Sequence, residues 1–134
     1  MNITSFDDLL AAARAQPTAQ RLLLVFAGAE LGADATPAQR AAFAQGHGGE
    51  LTPLMCVDKS VDEIPSFVAL VDESRQAGPP WAIVFAAALS GTGAAPPDSQ
   101  AAEAPLQRMV EAIRAGELGG MIAFDTTGQA VTLA

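Results

Sequence analysis

Apolar positions along the chain change their spacing in a regular way. In "TSFDDLLAAARAQP", Phe6, Leu9, Leu10 and Ala13 recur at helical intervals and form one apolar face. Thr4 or Ser5 can accept a free N–H at its start, Asp7 and Asp8 suit the positive end of the helix dipole, and Pro17 ends it. "RLLLVFA", residues 21–27, is a continuous apolar run without alternation, which predicts a strand covered on both faces. "TPAQRAAFAQG" then predicts a short Ala-rich helix, with Thr36 as cap, Pro37 in the first helical position, Gln39 three residues after the cap and Gly46 past the end.

The alternation continues. "ELTPLMCVD", residues 50–58, predicts a second strand, in which Pro53 weakens the case for pairing on both sides. Ser60 and Glu63 offer a capping box for a single turn, and a main helix follows from Pro65 to Ala77 with Phe67, Leu70, Val71 and Ile64 inward. "WAIVFAAAL", residues 81–89, predicts the centre of a sheet. "PLQRMVEAIRAG" predicts a helix from Pro105 to Gly116 with Leu106, Met109, Val110 and Ile113 on one face, and "MIAFDTTGQAVTL" predicts a terminal hairpin about a turn at Asp125 to Gly128.

Strands alternating with helices point to an α/β fold. The expectation is a single-domain sandwich over 1–134, with a mostly parallel central sheet of about five strands, helices packed on it and a C-terminal β-hairpin. Residues 90–103, rich in Gly, Ala and Pro, are expected to form a flexible loop.

Composition narrows the function. Hydrophobic residues make up 50% of the chain and charged ones 16%, and the formal net charge is −8. That balance repels phosphate backbones, so nucleic acid is not an expected partner. Apolar surface left exposed by so few charges favours self-association, and the expected state is a homodimer or a complex with a protein partner. No apolar stretch approaches the ~20 residues a membrane span needs. "MNITSFDDLL" carries acids where a signal peptide would be basic, so the expected compartment is cytoplasmic, with no membrane association.

Two places could carry chemistry. "LSGTG" sets Ser90, Gly91, Thr92 and Gly93 beyond a strand's carboxyl end, where Gly-rich turns let backbone N–H groups approach a ligand. A phosphate-binding loop would also need a Lys, yet no Lys or Arg lies between Arg75 and Arg108. A mobile crossing is the competing reading for that loop. In "MCVDKSVDE", Cys56 and Asp58 lie near a strand end, where Lys59 and a following helix could lower a thiol pKa. Against that stands the usual state of cysteine, a small buried hydrophobe. Its one possible imidazole partner, His47, is separated from it along an extended strand by up to ~30 Å. A single His and a single Cys leave no expected metal site, and no cofactor is implied. Asp62 and Glu63 are expected to favour a helix start, Asp72 and Glu73 to form a solvated face, and Trp81 to plug the core or a sheet end.

"SFDDLLAAARAQP", "RLLLVFAGAEL", "TPLMCVDK", "FAAALSGTG" and "EAPLQRMVEAIRAGE" together resemble a small proteobacterial family whose members often carry the label "ribonucleotide reductase subunit alpha". The label implies thiyl-radical chemistry with a further pair of cysteines in a much larger ten-stranded barrel, whereas Cys56 stands alone here. The resemblance therefore implies a small bacterial protein and transfers no catalytic residue. The expected function is association, as a homodimer or an adaptor without catalytic activity. The alternative is a small-molecule binding protein or enzyme using Cys56, Asp58 and the Ser90–Gly93 loop at strand carboxyl ends.

Overall fold

The six residues from Leu22 to Ala27 are each at most 2% exposed, and the rest of the chain is arranged to keep them so. The computed structural model describes residues 3–30, 34–44, 50–92 and 95–132. The elements, in order, are α1 (Phe6–Arg14), β1 (Gln20–Glu30), α2 (Pro37–Ala44), β2 (Glu50–Ser60), a 3₁₀ turn (Val61–Glu63), α3 (Phe67–Ala77), β3 (Ile83–Ser90), α4 (Ser99–Ala115), β4 (Ile122–Phe124) and β5 (Ala130–Val131).

The sheet has five strands in the order β2-β1-β3-β4-β5, and every neighbouring pair is antiparallel. This corrects the mostly parallel sheet expected from the alternation. A helix between two strands suggests a crossover, but α2 has no buried residue and is an excursion between antiparallel neighbours. α4 likewise separates β3 and β4, which pair directly. Only β2 and β3 run parallel to each other within the central three, and β1 lies between them. The expected terminal hairpin is reduced to the short strands β4 and β5, matched at two positions, Ala123 with Val131 and Phe124 with Ala130.

Alternate residues of β1 enter two cores. Leu22, Leu24 and Phe26 face α1 and α3, packing with Phe6, Leu10, Phe67 and Leu70. Leu23, Val25 and Ala27 face α4, packing with Ala102, Leu106, Met109 and Ile113. The unbroken apolar run thus reflects burial on both sides by helices, which an antiparallel sheet obtains as well as a parallel one.

Local signals hold the helices. Ser5 caps α1 by accepting from Asp8 N (3.1 Å), and Ser66 caps α3 by accepting from Ala69 N (3.2 Å). α4 begins at Ser99, well before the expected start at Pro105, because Asp98 accepts from Ala101 N (2.8 Å) and caps it there. Pro105 lies inside the helix, and residues 99–103 of the expected loop are helical. Trp81 is buried just before β3, edge-on to Phe26, and its Nε1 donates to Ser74 Oγ (2.8 Å).

The turn between β4 and β5 is pinned to α1. Asp125 Oδ1 accepts from the N–H groups of Thr127 and Gln129, and Gly128 C=O accepts from Phe6 N (2.7 Å). Gly128 has φ +88°, and a Cβ there would lie 2.8 Å from Phe67 Cδ2. Gly128→Ala therefore combines left-handed strain with an overpacked core, at a cost of roughly 2–4 kcal/mol. Gly116 has φ +75° with nothing within 4 Å of its Cβ direction, so Gly116→Ala costs only about 1 kcal/mol. Urea unfolding of the two variants tests this, and equal losses would contradict it.

Candidate functional site

Arg21 is the one charged side chain at the head of an apolar strand, and a charge set into a sheet requires an opposite partner nearby. The partner comes from β2. Asp58 Oδ2 accepts from Arg21 Nε (2.6 Å), lies 2.5 Å from Arg21 Nη2, and accepts from Ser99 Oγ (2.7 Å). Arg21 Nη2 in turn donates to Ser99 Oγ (2.9 Å), closing a triangle that ties β1, β2 and the first residue of α4 together. Arg21 and Asp58 side chains are only 12% and 19% exposed, so their attraction is less screened than at an open surface.

Burial pushes the Asp58 carboxyl up, but the hydrogen bonds from Ser99 and Arg21 and the Arg21 charge together outweigh it and hold the group below its ordinary value. A carboxylate so stabilised is a weak base, and it is this group that accepts from the Ser99 hydroxyl. The triangle fastens α4 to the sheet and leaves Ser99 unactivated.

The expected site residues do not converge. Cys56 and Asp58 stand opposite Val25 and Leu23 and so share the α4 face of the sheet. Ser90 stands opposite Gln20, on the face of α1 and α3, where Gln20 Nε2 donates to Ser90 Oγ (3.0 Å). Cys56 is exposed, which corrects the reading of a buried hydrophobe. Lys59 alternates to the other face and pairs with Glu73 (2.7 Å), so it does not assist the thiol, and Glu73 is not simply solvated. His47 and Gly93 lie outside the described residues.

The Gly loop is already occupied by the chain itself. Gly91 N donates to Ala19 O (2.8 Å), and Thr92 and Ala95 exchange both backbone bonds at 3.1 Å. A Cβ on Gly91 would run into the Ala95 carbonyl, so this glycine serves close backbone approach. The described N–H groups of the loop therefore do not form a phosphate cradle.

The acids near the 3₁₀ turn also have structural tasks. Glu63 Oε1 accepts from Ser60 N (2.9 Å) and Ser60 Oγ (3.0 Å), and these bonds hold its carboxyl below the usual value. Among the described residues no three His, Cys, Asp or Glu side chains stand together as a metal would require.

Two surface depressions flank Pro80 and Trp81, near the far end of β1 from Arg21. One of about 380 Å³ is lined by Gly28, Leu54, Pro79 and Trp81 among others, and one of about 210 Å³ by Arg75, Gly78 and Thr126 among others. Neither contains Cys56, Asp58 or Ser90. Sequence reasoning missed Arg21, Ser99 and Gln20, and the available signal was polar residues placed at the start of an otherwise apolar strand.

Among the described residues, no strand pairs with the outer edge of β2. Gly91 and Ala82 donate to Ala19 and Ala27 (2.8 and 2.9 Å), so the odd-numbered residues of β1 bond toward β3 and the even-numbered ones toward β2. Leu22, Leu24 and Phe26 therefore exchange bonds with Lys59, Val57 and Met55, and the N–H and C=O of Cys56 and Asp58 point away from the sheet. Ser60, next in that series, gives its N–H to Glu63, and the Asp58 N–H turns back to its own carboxylate. Both observations agree with the outward direction. The register shifts between Phe26 and Ala27, leaving Leu54 bulged beside Pro53.

Compared with family models, with curated proteins and with solved structures, the chain finds no match. Among the described residues no helix is long and apolar enough to cross a membrane.

Arg21→Ala should destabilise the fold by roughly 1–3 kcal/mol at pH 7, because Asp58 keeps a partly buried charge without its partner. A depressed folded pKa contributes stability above the unfolded value, lost as the pH falls through the folded one. The gap between wild type and Arg21→Ala should then shrink from about pH 4 downward. Urea titrations across that range measure it, and a gap that stays constant to about pH 2 would refute the assignment.

Proposed function

We propose that the protein acts by association, and that the free edge of β2 takes an extended strand of another polypeptide. One observation carries this reading: an eleven-residue edge strand has no buried residue, an exposed Cys56 near its middle whose N–H and C=O point outward, and an outward C=O at Asp58. Outward N–H and C=O groups at two-residue spacing recognise the backbone of a strand, and side chains on alternate positions supply selectivity. Met55, Cys56 and Val57 form a neutral apolar strip, and the flanking charges Asp58 and Lys59 are each already paired. Partners are therefore read as neutral, extended protein segments, and the charge of −8 argues against nucleic acid.

The resemblance to the proteobacterial family fits this reading without supplying a substrate, and a reducing cytoplasmic setting suits an exposed single thiol. Catalysis by Cys56, Asp58 and the Ser90 loop is the weaker reading, because these groups are divided between two faces of the sheet.

A dye-labelled peptide of alternating Thr and Val with one terminal Lys should bind the protein saturably in physiological salt, followed by fluorescence anisotropy. Cys56→Pro removes an outward N–H at an edge, where proline is tolerated, and should weaken binding roughly tenfold, about the value of one hydrogen bond. Cys56→Ala should bind as wild type does. Absence of binding, or equal binding by the proline variant, would overturn the reading.

A further inference from the structure

We infer that the hollow beside the end of β1 binds a neutral, capped apolar residue, an N-acyl amino-acid amide, whose own N–H and C=O pair with the backbone of Ala29.

The hollow exists because β1 outruns β3. β1 continues to Glu30, and Gly28, Ala29 and Glu30 stay paired on one side with Thr52, Leu51 and Glu50 of β2. On the other side the ladder ends with Ala27 opposite Ile83, where Ala82 N donates to Ala27 O (2.9 Å). The extra residue of the bulge, Leu54, belongs to β2, so the alternation along β1 is undisturbed. Ala29 therefore points its N–H and C=O the same way as Ala27, toward the line of β3. Among the described residues neither group has a partner there.

The neighbouring segment of the chain does not take the place. Continued by two residues, the register of β1 with β3 would set Trp81 against Ala29. The Trp81 side chain is instead held by α3, where its Nε1 donates to Ser74 Oγ (2.8 Å), and its ring is buried edge-on to Phe26. Pro79 and Pro80 precede it, and neither has an N–H to give the Ala29 carbonyl. What remains is a hollow of about 380 Å³, lined by Ala29 together with Leu54, Pro79, Pro80 and Trp81 among others. That volume belongs with small-ligand pockets.

The lining defines the ligand. Ala29 offers one donor and one acceptor from a single residue, and their complement is one extended residue that gives its N–H to the Ala29 carbonyl and its C=O to the Ala29 N–H. Every lining residue is uncharged, so a free ammonium or carboxylate would lose water there without gaining an opposite charge. Both ends of the ligand are therefore capped as amides. Prolines, a leucine and an indole surround the polar pair, which calls for an apolar side chain. The two hydrogen bonds replace bonds to water, and apolar contact around them supplies the gain.

Trp81 is the only tryptophan of a chain without tyrosine, so its emission reports on this hollow. N-acetylvaline N-methylamide should change that emission saturably. Its depsi analogue, with an ester oxygen where the valine N–H stood, should bind roughly tenfold more weakly, and free valine should not bind. Ala29→Pro removes a donor that faces away from β2 at an unpaired edge, where proline is tolerated, and should weaken the amide roughly tenfold. Urea unfolding shows whether that variant is folded, and if it is not, the two ligands decide without it. Cys56→Pro, altered at β2 alone, should bind the amide as wild type does, so this site is tested apart from the β2 edge.

The opposite results are equally readable. No binding of the amide up to its solubility limit, by emission or by saturation-transfer NMR, overturns the site. So does equal binding of amide and depsi analogue, or wild-type binding by folded Ala29→Pro. Loss of binding in Cys56→Pro moves the ligand to β2 and overturns it as well. A longer capped valine-rich peptide that binds roughly tenfold tighter or more than the single residue makes a strand the occupant and overturns the small ligand.

Discussion

The structure depends on keeping β1 dry on both of its faces. Its apolar run cannot be covered by one layer, because successive side chains point to opposite sides of the sheet. α1 with α3 supplies one cover and α4 the other, and each helix presents its buried residues at intervals of three and four. Two β-neighbours, β2 and β3, satisfy the backbone of β1 on both edges, so this strand has neither free surface nor free hydrogen-bonding groups along its apolar run. Helix placement, sheet order and the position of the open edge all follow from that requirement.

Polar groups in this frame are used as fasteners. Arg21, Asp58 and Ser99 join the beginning of β1 and the end of β2 to the first turn of α4, while Gln20 and Ser90 close the same end of the sheet on its other face. Among the described residues, every buried side-chain nitrogen or oxygen has a partner. Polar groups satisfied in this way specify one arrangement of helices on the sheet. This is why residues that look like a site in one dimension turn out to be divided among structural tasks.

Much of the architecture was legible in the chain. The apolar faces of α1 and α3 follow from their spacing, the caps at Ser60 with Glu63 and at Thr36 with Gln39 are made as the spacing implies, and Trp81 is the core plug its position indicates. Strand direction was not legible, because a continuous apolar run records burial on two faces and nothing about the orientation of its neighbours. A helix between two strands does not settle it either: the exposed α2 and the well-buried α4 both join antiparallel neighbours. The start of α4 was obscured because Pro105 resembles a first helical residue, although Asp98 upstream already offers a cap. The exposure of Cys56 was hidden as well, since only the strand order places β2 at the margin.

The two margins of the sheet are unequal, eleven residues on β2 and two on β5. The border of β5 is too short to template another chain, so intermolecular strand pairing could be taken up at one margin alone. The bulge at Leu54 beside Pro53 interrupts that margin, as broken and twisted edges do in sheets that resist open-ended stacking.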